Sequence, residues 1–186
     1  MTTIAFRAGT IAADSRVTVS TEAGGDRFFG CVKLFKKLAK IHGKEQEVIL
    51  ATAGESAPGA LFVEWFGSGK DVESMRDTFV IGEADFTVLI VTHDGLFEVD
   101  KWCCMEPVVI TDDKPYYAVG SGCKAALAAM AMGATAKRAV EIACGIDPHS
   151  APPIITMTLN GKKKKPKPKV ELPPAPRPDP EDPDAI

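Results

Sequence analysis

Short apolar runs separated by tight-turn residues dominate the first half of the chain, a pattern typical of β-hairpins. Residues 2–7 and 10–14 have the length of strands, and only two residues separate them. A hairpin with so short a turn brings Asp14 back beside Thr2. The sequence therefore predicts that these two residues are neighbours in space.

A second hairpin is predicted after a polar loop at residues 20–26. Its strands are residues 30–41 and 47–53, and its turn lies at residues 42–44. We expect the four strands of the two hairpins to form one sheet.

The pattern then changes to that of a helix. Gly54 ends the apolar run, and residues 57–66 place their large apolar side chains at helical spacing, so a helix is predicted just after this glycine. Residues 71–77 predict a further short turn. Strands at 85–92 and 96–101 are predicted to form a third hairpin, which begins a second sheet. The remaining predicted elements are a strand at 116–119, helices at 122–132 and 135–144, and a strand at 153–159.

Length and composition indicate one folded domain with a tail. The chain has 186 residues, of which 45% are hydrophobic, and this is enough for one well-buried domain. We assign the domain to residues 1–160. Residues 161–186 are rich in lysine and proline and have few apolar side chains to offset the entropy of ordering, so we expect a disordered C-terminal tail.

Charge and cysteine content narrow the function classes. A formal net charge of −3 gives no basic field that would draw the chain to nucleic acid or to a membrane, and no run approaches the roughly 18 apolar residues that span a bilayer. The five cysteines are an odd number without disulfide-framework spacing, which favours reduced thiols. The histidines are scattered, so we expect no metal and no cofactor. These features predict a cytoplasmic protein.

The first residues contain the parts of a nucleophile. A lone hydroxyl is a poor nucleophile, and one remedy is an adjacent base. If Met1 is removed, as we expect, the α-amino group of Thr2 is that base. The pKa of an α-amine is about 8, so a neighbouring cation that lowers this pKa would leave the amine largely neutral at physiological pH. Lys33 is the candidate for that cation. Taken alone, however, these residues fit an ordinary first strand better.

Seven short blocks occur in the order seen in proteasome-type β-subunits. They are Thr2–Phe6, Ile11–Thr18, Val32–Leu34, Thr52–Gly54, Val119–Gly122, Asp147 and Ser150. The chain therefore resembles a proteasome β-subunit or the related bacterial HslV peptidase over residues 2–159. Its compact size and its start without a propeptide are most similar to the bacterial proteasome homologues.

The resemblance implies a fold and an activity. The fold is α+β, the four-layer α/β/β/α sandwich of N-terminal nucleophile hydrolases, and the order of predicted elements is compatible with it. The activity is that of a threonine-type endopeptidase in a self-compartmentalising ring. The family places two substantial helices between the glycine that matches Gly54 and the third hairpin. Only about 30 residues are available here, so we expect one helical layer to be thin.

Lys33 and Asp14 form the first pair of catalytic candidates beside Thr2. Lys33 lies in a basic run, where a lysine is usually solvated, but strand alternation puts it on one face with Phe35. An inward ammonium needs a carboxylate partner, and Asp14 is the candidate. In the role that the resemblance implies, the positive charge favours a neutral Thr2 amine and stabilises an alkoxide-like oxygen.

Four further residues match catalytic positions of the family. The resemblance makes the backbone N–H of Gly54 the oxyanion donor and Ser121 a hydrogen-bonding neighbour of Thr2. It makes Asp147 and Ser150 residues that orient the nucleophile. Each also has an ordinary interpretation, as the end of a strand, a helix cap or a turn.

Six residues match the substrate positions of the family. They are Val17, Thr18, Cys31, Phe35, Thr52 and Ser56. Thr18 would offer backbone groups to an extended peptide. The others, which match the pocket, are uncharged, which favours cleavage after uncharged side chains.

Partners and alternatives follow from the same resemblance. The expected partners are identical subunits in stacked rings and peptide or unfolded protein substrates, and an unfoldase ATPase stays open. One alternative is a catalytically silent structural subunit of such a ring, although the full set of catalytic candidates argues against it. Another is a thiol enzyme that uses Cys103 or Cys104 with His93 or His149, whose geometry nothing in the sequence fixes.

Overall fold

A computed structural model describes residues 2–20, 26–79 and 85–159. The strands are β1 (Thr3–Arg7), β2 (Thr10–Ala13), β3 (Arg16–Ser20), β4 (Asp26–Gly30), β5 (Leu34–Ile41), β6 (Lys44–Gly54), β7 (Phe86–Val91), β8 (Leu96–Val99), β9 (Met105–Pro107), β10 (Tyr116–Gly120) and β11 (Ile155–Thr158). The helices are α1 (Ser56–Phe66), α2 (Met75–Thr78), α3 (Cys123–Ala131) and α4 (Ala136–Cys144). A single 3₁₀ turn, Val72–Ser74, precedes α2.

Two antiparallel sheets pack face to face. One has the strand order β10-β1-β2-β11 and the other the order β5-β6-β7-β8-β9. Apolar side chains from both sheets, including Ile4 and Leu34, form the core between them. Because side chains alternate along a strand, Ala5 points to the opposite face of its sheet, where it packs against α3 and α4.

Aromatic side chains cover the outer face of the five-stranded sheet. Phe62 and Phe66 of α1 stack with ring centroids 5.4 Å apart, and Phe79 meets Phe62 edge to face. Their cluster includes Val48 and other residues of the sheet. Helices therefore lie outside both sheets, and the predicted α/β/β/α sandwich is confirmed. The layer over this sheet contains α1 and an α2 of only four residues, so the expected thin layer is present.

The first two predicted hairpins are present, but they do not share a sheet. The strands β1 and β2 belong to the four-stranded sheet, whereas β5 and β6 belong to the five-stranded one. The third hairpin does not begin a new sheet either, because β7 pairs with β6. Periodicity shows which face of a strand is apolar, but it does not show which distant strand pairs with it.

The ribbon formed by β3 and β4 was not predicted. Its strands pair with each other, and both reach into the region assigned to a loop at residues 20–26. Residues 30–33, in contrast, lie before β5 and were wrongly assigned to its strand. β4 is exposed along its whole length, so it lacks the apolar alternation by which a half-buried strand is found.

Two expectations concern residues that the structure does not describe. Met1 and the tail at residues 161–186 lie outside the described ranges, so the removal of the first and the disorder of the second remain predictions. Within the described ranges, no helix combines the length and the apolar character that are needed to cross a bilayer.

Candidate active site

A buried ion pair lies at the centre of the site. Lys33 Nζ is 2.8 Å from Asp14 Oδ1, and the two side chains are 4% and 0% exposed. Lys33 Nζ also donates to the backbone carbonyl of Arg16 at 2.6 Å. Burial lowers the pKa of Lys33, and the hydrogen bond and charge of Asp14 oppose this shift without cancelling it. The inward orientation and the partner expected for Lys33 are both present.

Asp14 connects three parts of the chain. Its Oδ1 accepts from the N–H of Thr3 at 2.9 Å, and its Oδ2 accepts from the N–H of Arg16 at 2.9 Å and of Ala151 at 3.2 Å. Its own N–H donates to the carbonyl of Thr3 at 3.1 Å, which continues the pairing of β1 with β2 beyond the hairpin. The backbone next to Thr2 is therefore fixed to the same carboxylate that holds Lys33.

Thr2 and Lys33 border a cleft of about 570 Å³. Thr2 is 3% exposed, and it lines the cleft together with Lys33 and Gly54. The six predicted substrate-binding residues line the same cleft; they are Val17, Thr18, Cys31, Phe35, Thr52 and Ser56. The fold thus brings together residues that are as far apart in sequence as Thr2 and Ser56.

Gly54 occupies a position that no other residue fits. Its φ is +89°, and a Cβ atom there would lie 2.5 Å from the carbonyl oxygen of Asp85 and 2.8 Å from the Cα of Phe86. The chain turns at this point from β6 into α1, whose first residue is Ser56. The glycine is therefore required by close backbone packing, and its proposed role as an oxyanion donor is an additional one.

A second group of side chains, outside the cleft lining, meets the Thr2 carbonyl and the Thr3 hydroxyl. Ser121 Oγ donates to Asp147 Oδ2 at 2.6 Å and lies 3.3 Å from the carbonyl oxygen of Thr2. Ser150 Oγ donates to the same Asp147 oxygen at 2.7 Å. The structure thus places the predicted residues Ser121, Asp147 and Ser150 beside the first residues of the chain. The resemblance implied that Ser121 contacts the Thr2 amine and hydroxyl, whereas its contact here is with the Thr2 carbonyl, and Ser150 contacts Thr3.

Sequence reasoning did not find the part played by Thr3. Its buried Oγ1 lies 2.7 Å from Ser150 Oγ. A hydroxyl has one proton, and Ser150 gives its proton to Asp147, so Thr3 is the donor to Ser150. A Cβ atom at Gly122 would overlap Thr3 Oγ1, so the glycine makes room for this hydroxyl. No sequence signal for this contact exists, because 147 residues separate Thr3 from Ser150.

The environment of Asp147 favours its ionised form. Burial alone raises the pKa of Asp147, but hydrogen bonds from Ser121, Ser150 and the N–H of His149 outweigh it, and the net pKa lies below the ordinary value of 3.8. The carboxylate is thus an acceptor that orders the two serine hydroxyls.

This pKa shift predicts how stability depends on pH. A lowered pKa in the folded state means that the ionised Asp147 contributes stability above the ordinary pKa, and that this contribution is lost as the pH falls through the lower folded-state pKa. We expect Asp147→Asn to lower the Tm by about 2–4 °C at pH 7, and by less as the pH falls below about 4. Thermal unfolding measured across this pH range tests the expectation. The control is Asp112→Asn, at an exposed site. If Asp147→Asn lowers the Tm by the same amount at every pH, the expectation is wrong.

Two charged residues of the cleft were also missed. Glu55 and Asp85 line it together with the predicted residues. The sequence offers a signal for Glu55, which directly follows Gly54. It offers none for Asp85, which reaches the cleft because β7 pairs with the end of β6.

The structure disfavours a thiol nucleophile at Cys103. This side chain is buried in the apolar core under α1, and its Sγ lies 3.7 Å from the carbonyl oxygen of Phe79. Burial raises the pKa of Cys103, and the nearby Asp100 adds to the shift. Because the reactive form of cysteine is the thiolate, a raised pKa makes Cys103 a poor nucleophile.

Known structures share this fold. No protein-family model matches the sequence, and no curated protein is similar enough to count as a relative. The eukaryotic HslV of Trypanosoma brucei is 16% identical, with a TM-score of 0.57 over 83% of this chain and 97% of that one. Thiobacillus denitrificans BPH in complex with epoxomicin is 18% identical, with a TM-score of 0.56 over 86% and 99%. Anbu of Pseudomonas aeruginosa, solved as a helical assembly, is 16% identical, with a TM-score of 0.57 over 85% and 80%.

These similarities concern the fold. The chain has the HslV-like, proteasome-type fold, and the resemblance inferred from the seven sequence blocks is confirmed at this level. The sequence identities of 16–18% support a shared fold but not a shared chemistry, so the chemistry has to be argued from the residues of this chain.

Proposed function

We propose that the chain is an N-terminal threonine peptidase that acts as a subunit of a proteasome-like ring. The observation that carries this proposal is that Thr2, the buried cation Lys33 and Gly54 line one cleft. A nucleophile, a nearby positive charge and a backbone N–H donor for the oxyanion are the parts that acyl transfer needs. A purely structural subunit has no use for a lysine buried against its first residues.

In the proposed mechanism, Thr2 acts once Met1 is removed. The free α-amine takes the proton of the Thr2 hydroxyl, and the oxygen attacks the carbonyl carbon of the scissile peptide bond. Lys33 stabilises the developing negative charge on the Thr2 oxygen, and the N–H of Gly54 donates to the oxyanion. The protonated amine then gives its proton to the leaving amine, and an acyl-enzyme ester remains. Water hydrolyses this ester by the same proton transfers and regenerates Thr2.

The network around Asp147 supports the nucleophile rather than reacting. Ser121 contacts the Thr2 carbonyl, and Ser150 contacts the Thr3 hydroxyl, while both donate to Asp147. Holding the first two residues in place aligns the Thr2 amine and hydroxyl with the cleft.

The proposed substrates and partners follow from the cleft and from the structural neighbours. Substrates are peptides or unfolded proteins that bind extended along the cleft, where Thr18 offers its backbone. Identical subunits are the proposed partners, in line with the helical assembly of Pseudomonas aeruginosa Anbu. We place the assembly in the cytoplasm and leave an unfoldase ATPase as a further candidate partner.

Hydrolysis of short fluorogenic peptides tests the function. Protein whose mass shows that it begins at Thr2 is expected to release the fluorophore over many turnovers. Epoxomicin, which is bound in the Thiobacillus denitrificans structure, is expected to block this activity. A silent structural subunit would hydrolyse no peptide, and this result in mass-verified, assembled protein would overturn the proposal.

The oligomeric state is a separate prediction. A peptidase with an accessible nucleophile is safe in a cell only if its site is enclosed, so we expect the chain to assemble with itself. Light scattering coupled to size exclusion should give a mass that is a large multiple of 19.8 kDa and stays constant on dilution. A monodisperse monomer would contradict the compartment.

A further inference from the structure

The described lining of the cleft has an uneven charge. It contains one cation, Lys33, and two carboxylates, Glu55 and Asp85. The ammonium of Lys33 is already bound by Asp14 and by the carbonyl of Arg16. The charge that the cleft presents to a ligand is therefore negative.

Both carboxylate residues are held at the Gly54 end of the cleft. The N–H of Glu55 donates to the carbonyl of Asp85 at 2.9 Å, and Glu55 Oε1 accepts from the N–H of Asp85 at 3.2 Å. This reciprocal pair joins the start of α1 to the start of β7. The Glu55 side chain is exposed, but this hydrogen bond ties one of its carboxylate oxygens to the cleft wall.

The helix dipole of α1 does not reverse the sign of this charge. The helix begins at Ser56, and its N-terminus contributes the equivalent of about half a positive charge. Glu55 and Asp85 contribute two full negative charges at the same end. Around them the lining consists of small or apolar side chains such as Ala57, Ala60 and Val17, which suit the methylene stem of a long side chain.

We propose that the cleft selects peptides with a lysine or arginine side chain, and that Glu55 and Asp85 are the residues that determine this specificity. The proposal rests on the proposed peptidase function and names its substrate class. It replaces the sequence-based expectation of uncharged side chains, because that expectation was drawn from pocket positions that did not include either carboxylate.

Kinetic specificity is the first test. Fluorogenic peptides that differ only in arginine, leucine or glutamate before the scissile bond should be hydrolysed in that order of kcat/KM. Glu55→Gln and Asp85→Asn should each lower the ratio of kcat/KM for arginine over leucine by about fivefold, since each removes one carboxylate near the cation. Gln keeps the acceptor for the Asp85 N–H. The matched control is Glu64→Gln, on the exposed side of α1 and outside the cleft, which should leave the ratio unchanged.

Equilibrium binding separates this proposal from the peptidase function. Thr2→Ala protein cannot turn over substrate, so the affinity of an arginine peptide can be compared with that of its neutral citrulline counterpart by calorimetry. We expect the arginine peptide to bind at least about fivefold more tightly at low salt, and the difference to shrink at about 0.5 M salt. Equal affinities, or a kinetic ratio that neither substitution changes, would overturn the specificity. If wild-type protein hydrolyses no peptide while the binding difference persists, the peptidase function alone fails.

Discussion

Protein that retains Met1 is expected to fold and assemble but to hydrolyse no peptide. With Met1 attached, the Thr2 nitrogen is an amide whose lone pair is delocalised into the peptide bond, so it cannot accept the hydroxyl proton. The side chains of the cleft are the same in both forms. The comparison of two mass-verified preparations, one with Met1 and one without, therefore isolates the base. We expect a difference of at least about 10⁴-fold in kcat/KM, as for the loss of a member of a catalytic triad.

Two substitutions at Thr2 complete this test. Thr2→Ala removes the hydroxyl and is expected to be as inactive as the Met1 form, whereas Thr2→Ser keeps both amine and hydroxyl and should retain measurable turnover. Activity of the processed protein should also fall as the pH drops through the pKa of the α-amine, which a neighbouring cation holds below its ordinary value of about 8, because the protonated amine is no base. Full activity in the Met1 form would rule out the N-terminal threonine mechanism. Turnover that does not depend on the residue at position 2 would point to another nucleophile.

Replacement of Lys33 is expected to have the second largest effect. Lys33→Met keeps most of the side-chain volume but removes the positive charge from the cleft that Thr2 also lines, and we expect kcat/KM to fall by about 10²–10³-fold. The matched control is Lys36→Met three residues later. Lys36 is 39% exposed and pairs with Glu47 at 2.9 Å on the surface, so its loss should change activity less than about twofold.

Lys33→Met should also lower the free energy of unfolding, but to a limited extent. Removing one partner of a buried ion pair typically costs about 3–5 kcal/mol because a charge is left unpaired. Asp14 keeps three N–H donors, from Thr3, Arg16 and Ala151, so we expect a value at or below the lower end of this range. Chemical denaturation measures this loss, and the activity is then compared where both variants are folded. Equal activities of the Lys33 and Lys36 variants would contradict the role of Lys33 as the cation of the site.

Local patterns were sufficient wherever the deciding contacts lie close in sequence. The two-residue turn after β1 forces Asp14 back beside the first residues, and the hydrogen bond from the Thr3 N–H to Asp14 is a direct result. The helix after Gly54 was predicted because its large apolar side chains recur with the helical period. Lys33 was placed inward by alternation together with the need of an ammonium for a carboxylate, although strand β5 begins only after it.

The sequence by itself determined most of the strands and helices, although not the exposed ribbon of β3 and β4, and its seven blocks indicated the proteasome-type fold, because turns, periodicity and motif order are local properties. Only the tertiary structure decided which sheet each hairpin joins, since strand partners are chosen by contacts between distant segments. The same holds for the hydroxyl of Thr3, which meets Ser150 only through the packing of the loop before β11. It also holds for the acidic end of the cleft, where Asp85 arrives beside Glu55 because β7 pairs with β6.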